Sequence, residues 1–561
     1  MIKTEWKITC VEPVAPQGMV AAKHPLAVEA GMKVMEAGGN AVDAAVTTAF
    51  AMNVLDPAMN GIGGGGFMLY HDAARKQNHV LDYFMTAPSG ARPDMYEIVD
   101  QGKTDTLGYR GVRNDENTYG PRAVGVPGMA AGLAEALAKF GTISLEQALQ
   151  PAIRFAEEGY VATWYSMLTA GRFMEILARF PETANIFLKD GKFVWRTGGN
   201  GPADKIVQKD LAGTLRQIAA NGPNGFYKGK PAEKIGANLI AQGGVLNIAD
   251  LADYRTRAPA ARSIRYRDRY EIIYAPATGG GTLAEAFNIL EGYDFSGMNP
   301  GSAAALQPFI EACRVAYADR WQYLADETFA DVPWQVLESK DYAEARRRNI
   351  PTGRAVETVS AWERGAVNPE TVERSGGHTT HLSVVDRHGN MVAITQTINM
   401  VWGSGWTAGG TGVLMNDAMV LFDPQPGRAN SIAPGKRPLS SMTPILVLRD
   451  GKPFLTVGAP GGRLIMGTVM RVVHNVLDFG MDIQDACANL FLDVMGEKVL
   501  IDAAVGADTL ADLQAIGYSL DIASRNYLPH IFASPTGILV DADGNKHGGV
   551  DPYHIGIAAG Y

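Results

Sequence analysis

The chain has 561 residues, enough for several domains or for one large α/β core. Its 46% hydrophobic and 19% charged residues are an ordinary globular composition. A formal net charge of −9 argues against a nucleic-acid partner, which calls for a basic excess or stripe.

The N-terminal MIKTEWKITCVEPVAPQG carries charges and no apolar core, so no signal peptide is expected. The sequence as it stands reads as cytoplasmic, or periplasmic if a leader precedes it. No stretch is long and apolar enough to predict a membrane span. After Gly18, HPLAVEAGMKVMEAGGNAVDAAVTTAFAMNVLDP reads as two helices, ending near Gly38-Gly39 and Asp56-Pro57. A glycine run, NGIGGGGFMLYHD, then leads into an apolar strand. Two helices follow over residues 128–158; Ser144 and Gln147 have capping-box spacing at the second. Residues 160–270 read as a mixed, largely helical region, and Ser302 opens another helix. Residues 345–378 are polar, charged and weakly periodic, as in a surface loop or linker.

Period-two alternation begins abruptly at THLSVVD and resumes after RHGN as MVAITQTIN, which predicts a β-hairpin. With Asp386 and Met391 flanking the turn, Thr379 faces Ile398 and Thr380 faces Thr397. A second hairpin is expected in TPILVLRDGKPFLTVGA, around Asp450-Gly451. Cys10, Cys313 and Cys487 are far apart and in no CxxC spacing. His378 and His381, three apart on a strand, point to opposite faces. Neither set predicts a metal site.

A pair of threonines opening a strand is ordinary sheet chemistry. The abrupt change from a polar segment to a buried-type strand suggests something more. A cut between His378 and Thr379 would leave an N-terminal threonine held in a sheet. Its α-amine, with a reference pKa of about 7.7–8.0, could take the hydroxyl proton, so nucleophile and base would be one residue. Before the cut, the same hydroxyl could attack the carbonyl of His378. Such a site needs no cofactor.

THLSVVDRHGN, TQTIN, KRPLSSMTP (436–444) and GAPGGRL (458–464) together resemble the γ-glutamyltranspeptidase family of N-terminal-nucleophile hydrolases. AGGNAVDAA, GIGGGGFM, GFYKG and DLADYRTR upstream match in family order. The resemblance implies an α+β fold, a four-layer αββα sandwich. It also implies a precursor cut into a large subunit, 1–378, and a small subunit, 379–561, that remain together as a heterodimer. Thr379 resembles the nucleophile and Thr397 its supporting hydroxyl. Asn399, Ser440 and Ser441 resemble substrate-binding residues, and Gly461 and Gly462 the oxyanion-hole glycines. The partner implied is a small amide or peptide substrate, with no nucleic acid and no membrane.

Two departures bear on the substrate. The transpeptidases hold the α-carboxylate of a γ-glutamyl group with an arginine in a segment like DFREMAP; Phe84 stands there in DYFMTAP. They hold the α-amine in a segment like NNQMDDF; here NDAMVLF places Ala418 and Leu421 at the gripping positions, with Asp417 one residue early. The short loop DPQPGRANSIAPG instead resembles the class IV, cephalosporin acylase-like branch. An amidohydrolase with an apolar acyl pocket near Phe84, Ala418 and Leu421 is therefore expected. The rivals are a genuine glutathione hydrolase or transferase, a non-catalytic binding homologue, and a nucleotide-binding oxidoreductase. The last rests on Gly61–Gly66, which fits GxGxxG but leads into a strand where that fingerprint should open a helix.

Overall fold

The computed structural model describes residues 10–99, 110–199, 201–357, 359–361, 364–366, 378–525 and 532–561, with only the backbone of 364–366 and 378. Two antiparallel sheets carry the molecule. The first contains β2 (Met19–Ala22), β3 (Gly65–Asp72), β4 (Gln77–Asp82), β7 (His378–Val385), β8 (Met391–Asn399) and β13 (Ile557–Gly560). Their order is β13-β2-β7-β8-β3-β4. The second contains β1 (Val14–Ala15), β5 (Arg262–Tyr266), β6 (Tyr270–Tyr274), β9 (Ile445–Arg449), β10 (Lys452–Gly458), β11 (Thr536–Val540) and β12 (Lys546–Val550). Their order is β1-β12-β11-β10-β9-β6-β5.

The pleat decides what each face meets. Leu382, Val384, Val392 and Ile394 share a core with helices α1 (Pro25–Glu36), α2 (Ala41–Leu55), α3 (Met129–Phe140) and α4 (Leu145–Glu158). Val385, Met391 and Ala393 point the other way and join Val447, Leu455 and Val457 of the second sheet. Behind that sheet lie α5 (Gly280–Leu290), α6 (Ala303–Tyr323) and α7 (Ile465–Phe479), in the same core. The layers run helix, sheet, sheet, helix, as the sequence resemblance implies. All fifteen residues of α2 are buried, which its near-continuous apolar sequence permits. Its start is a capping box between Asn40 and Asp43, and the box read at Ser144 and Gln147 is present on α4.

Three expectations need correction. The hairpin register is shifted by one: Val385, not Asp386, pairs with Met391, and Thr380 pairs with Gln396. Asp386 leaves the ladder because its carboxylate caps the turn, accepting from the N–H groups of His388 and Asn390 at 2.8 and 3.0 Å. Residues 345–378 are not uniformly loop. Ala345–Arg347 complete a helix, and Ser360–Ala361 pair with Arg364–Ala366; residues 358, 362–363 and 367–377 lie outside the described residues. The region 160–270 ends in β5, which pairs with β6 and belongs to the second sheet.

Candidate active site

The pleat separates the two threonines. Thr379 shares parity with His381 and Ser383, on the face toward the second sheet. Thr380 shares parity with Leu382 and Val384, on the helix side, and its buried hydroxyl meets no partner among the described residues. The ladder is irregular between His378 and Thr380, so Thr379 sits in the bulge at the strand start. There its Oγ1 donates to Thr397 Oγ1 at 3.4 Å, although the simple register placed Thr380 opposite Thr397. Thr397 Oγ1 also accepts from the N–H of Asn399 at 2.7 Å. Asn399 has φ 80°, where β8 turns out of the sheet, and its Nδ2 donates to Asp417 Oδ1 at 3.3 Å.

His381 is no general base for this threonine. Its ring is fully buried between Thr395 Oγ1 at 2.8 Å and Ser383 Oγ at 3.0 Å, and burial pushes it down to about 3, so it is neutral. Among the described residues no three His, Cys, Asp or Glu side chains are grouped to hold a metal.

His381 also locates the glycine turn. A Cβ on Gly458 would lie 2.4 Å from the His381 ring, so the end of β10 runs against β7 beside Thr379. The chain then passes through Pro460 to Gly461 and Gly462, at φ 143° and 57°, and into α7. A Cβ on Gly461 would stand 2.4 Å from Ala533 Cβ, so both φ and contact demand glycine. Among the described residues neither glycine N–H meets an acceptor. Two such amides at a helix entrance suit a developing oxyanion. The turn is braced from behind: Ser534 N–H donates to Pro460 O at 3.0 Å, and the buried Lys23 Nζ donates to Ser534 Oγ at 2.5 Å. Burial pushes Lys23 down to about 8, against the pull of Asp551 and Asp56.

The recognition positions scatter. Phe84 is 1% exposed, and its ring packs on Phe67 at 5.1 Å in the core. Ala418 is fully buried; a Cβ on Gly125 would meet its methyl at 2.8 Å. Leu421 lines a small, partly open hollow together with Ser441, Arg320, Arg463, Trp321 and Met495. Phe84 and Ala418 are not among its lining residues. Ser440 is buried and its hydroxyl accepts from Met442 N–H at 3.2 Å, while its carbonyl accepts from Arg320 Nη2 at 2.7 Å. Asn430, in the short loop, pins two lining leucines by accepting from Leu439 N–H and donating to Leu421 O. Asp417 accepts at Oδ1 from Met400 N–H at 3.0 Å, and its Oδ2 has no partner among the described residues. Burial pushes its carboxyl up to about 8.

The family model for γ-glutamyltranspeptidase matches residues 27–561. The chain belongs to the γ-glutamyltranspeptidase family. It is 40% identical to the acylase ACY 1 proenzyme of Pseudomonas sp. strain V22, over 94% of this chain and 91% of that one. It is 35% identical to the glutathione hydrolase proenzyme of Escherichia coli K12, over 98% and 92%. The crystal structure of cephalosporin acylase from Bacillus halodurans superposes with a TM-score of 0.86 at 28% identity, covering 100% and 98% of the two chains. The protein is accordingly an amidohydrolase of the N-terminal-nucleophile type.

Within this family fold the glycine run has a packing role. A Cβ on Gly64 would stand 2.0 Å from Thr397 O, and Gly65 and Gly66 pair with Thr397 and Gln396 in β3. The run lets β3 close on the strand that supports Thr379, which removes the nucleotide-loop reading. Sequence reasoning missed Arg320, Arg463, Lys23 and Ser534. Only Arg463 left a signal, as the residue that follows the two oxyanion-type glycines.

Proposed function

We propose that this chain is a self-cleaving acylase that hydrolyses amides of an acyl group other than γ-glutamyl. The cut falls between His378 and Thr379. Thr379 Oγ adds to the His378 carbonyl, the resulting ester is hydrolysed, and a free α-amine is left on Thr379. In turnover, Thr379 Oγ adds to the substrate carbonyl, and its proton passes to the α-amine and on to the departing nitrogen. The C–N bond breaks, the amine leaves, and water hydrolyses the Thr379 ester to the acid. Thr397 orients the hydroxyl, Gly461 and Gly462 take the oxyanion through their N–H groups, and Asn399 borders the acyl group.

The observation that carries the choice of substrate is Phe84. At the family's arginine position stands an aromatic ring packed in the core, and a ring cannot replace a bidentate guanidinium. The likeness to the E. coli glutathione hydrolase favours a second reading, a true γ-glutamyl enzyme. Intact mass and N-terminal sequencing test the cut; a fragment beginning Thr379-Thr380-His381 is expected. Rates on γ-glutamyl and simple acyl p-nitroanilides decide between the readings. Faster turnover of the γ-glutamyl anilide would reverse the assignment.

A further inference from the structure

Each N–H at the oxyanion turn is one end of a peptide unit whose other end is a carbonyl. A trans peptide is planar, with C=O and N–H pointing opposite ways, so whatever holds the carbonyl also aims the N–H. The Gly461–Gly462 unit is held from within the turn, where Leu464 N–H donates to Gly461 O at 3.1 Å. The Pro460–Gly461 unit is held from outside, where Ser534 N–H donates to Pro460 O at 3.0 Å. Each glycine N–H therefore points away from the bond that fixes its unit. A hydrogen bond accepted at the carbonyl also polarises the N–H of the same unit, which makes it a stronger donor.

The bond to Pro460 works only while Ser534 stays in place, because glycines at 461 and 462 leave the backbone free to swing. Ser534 is tied twice. Its Oγ accepts from Lys23 Nζ at 2.5 Å, and the carbonyl of the next residue, Pro535, accepts from Asp551 N–H at 3.0 Å. Lys23 and Ser534 are both buried, and the ammonium is drawn by Asp551 and Asp56. Asp551 is fixed in turn: it accepts from Tyr553 N–H at 3.1 Å, and its Oδ2 lies 2.6 Å from His554 Nδ1. A buried ammonium costs more than an apolar side chain of the same volume, so packing alone does not account for Lys23. Lys23 lies before the proposed cut, and Pro460, Ser534 and Asp551 lie after it.

We propose that Lys23 is a positioning residue for the oxyanion hole: through Ser534 it holds the Pro460–Gly461 peptide in the orientation that turns Gly461 N–H toward the reacting carbonyl. The inference rests on the role given to Gly461 and Gly462 above. It adds that the hole is aimed across the cut, by a side chain of the N-terminal piece.

The test measures kcat and KM per cut chain, with the cut fraction read by intact mass. The substrate is whichever of the γ-glutamyl and simple acyl p-nitroanilides turns over faster. Ser534→Ala removes the tie and keeps the N–H that reaches Pro460; Lys23→Met removes its source. Each is expected to lower kcat about 10–100-fold and to leave KM within about threefold, because the donors act on charge that develops after binding. The double variant is expected to fall no further than the worse single one, because both break one chain of contacts. A brace for stability alone would lower Tm and leave kcat per cut chain unchanged. That result in Ser534→Ala, the milder substitution, overturns the proposal even where Lys23→Met fails to fold. Additive losses overturn it as well. Gly461→Ala separates the two readings. A loss of kcat there with none in Ser534→Ala removes the role of Lys23 alone. A retained kcat there removes the oxyanion assignment and this inference with it.

Discussion

The strand start at Thr379 and the hollow at Ser441 meet at the Gly461–Gly462–Arg463 turn, yet they are built on different principles. At Thr379 the geometry is mostly backbone: a bulge, a cross-strand hydroxyl, and two glycines whose φ values and neighbours admit no side chain. In the hollow the work falls to side chains, and the positions expected to differ in recognition lie apart: Phe84 is in the core, Ala418 is buried and Leu421 is in the wall. Chemistry fixed in backbone geometry constrains many residues at once and tolerates little change. Recognition carried by individual side chains can be replaced one position at a time.

Substitutions can break this contrast. The largest effect is expected from Thr379→Ala, which should leave the chain uncut by intact mass and lower amide hydrolysis by about 10⁴-fold or more. Serine at the same position should retain self-cleavage. Next comes Gly461→Ala. It forces a methyl against Ala533 at an unfavourable φ and displaces an oxyanion donor, so kcat should fall about 10²–10³-fold in whatever protein is cut. A retained kcat would mean that the turn does not hold the oxyanion. Thr397→Val keeps the shape of the side chain but removes the oxygen that accepts from Thr379 and from Asn399 N–H. Hydrolysis should drop about 10–100-fold, as for a lost hydrogen bond with a buried donor left over.

The smallest effect concerns Asp417. Unfolded, its carboxyl ionises near pH 4; folded, it holds its proton to about 8. Ionisation therefore favours the unfolded state increasingly as pH rises between those values. Asp417→Asn, which can keep the acceptor for Met400 N–H, removes that penalty. Its stability advantage should be absent near pH 4, grow through neutrality, and level off above about pH 8, as read by denaturant unfolding across pH. A difference independent of pH would show that the carboxyl ionises normally.

Much of the frame was legible because it rests on local rules. The capping box at Ser144, the helix before Gly38 and the Asp450-Gly451 turn are set by a few neighbouring residues, and each stands where the pattern put it. The register of the first hairpin was not legible, because it depends on which chemistry Asp386 prefers. Its carboxylate serves the turn, and the ladder slips by one. With the irregularity at Thr379, it is the Thr397 hydroxyl that meets Thr379. Position 84 was legible as a departure but not as a core residue, since only the fold brings Phe67 against it. The hollow's arginines come from α6 and the short turn just before α7, and no periodicity in either segment announces that they converge.

The order of strands has a consequence for the life of the molecule. In the second sheet the four strands that follow residue 379 lie between β1 on one side and β6 and β5 on the other; in the first, β7 and β8 lie between β2 and β3. A break before Thr379 therefore severs the chain without freeing either piece, because each would have to peel out of two sheets at once. It also turns a one-molecule folding problem into a search by two partners, with an added cost in translational freedom. The cut protein should then owe its persistence to slow unfolding, and once denatured it should not find its way back as the intact precursor does.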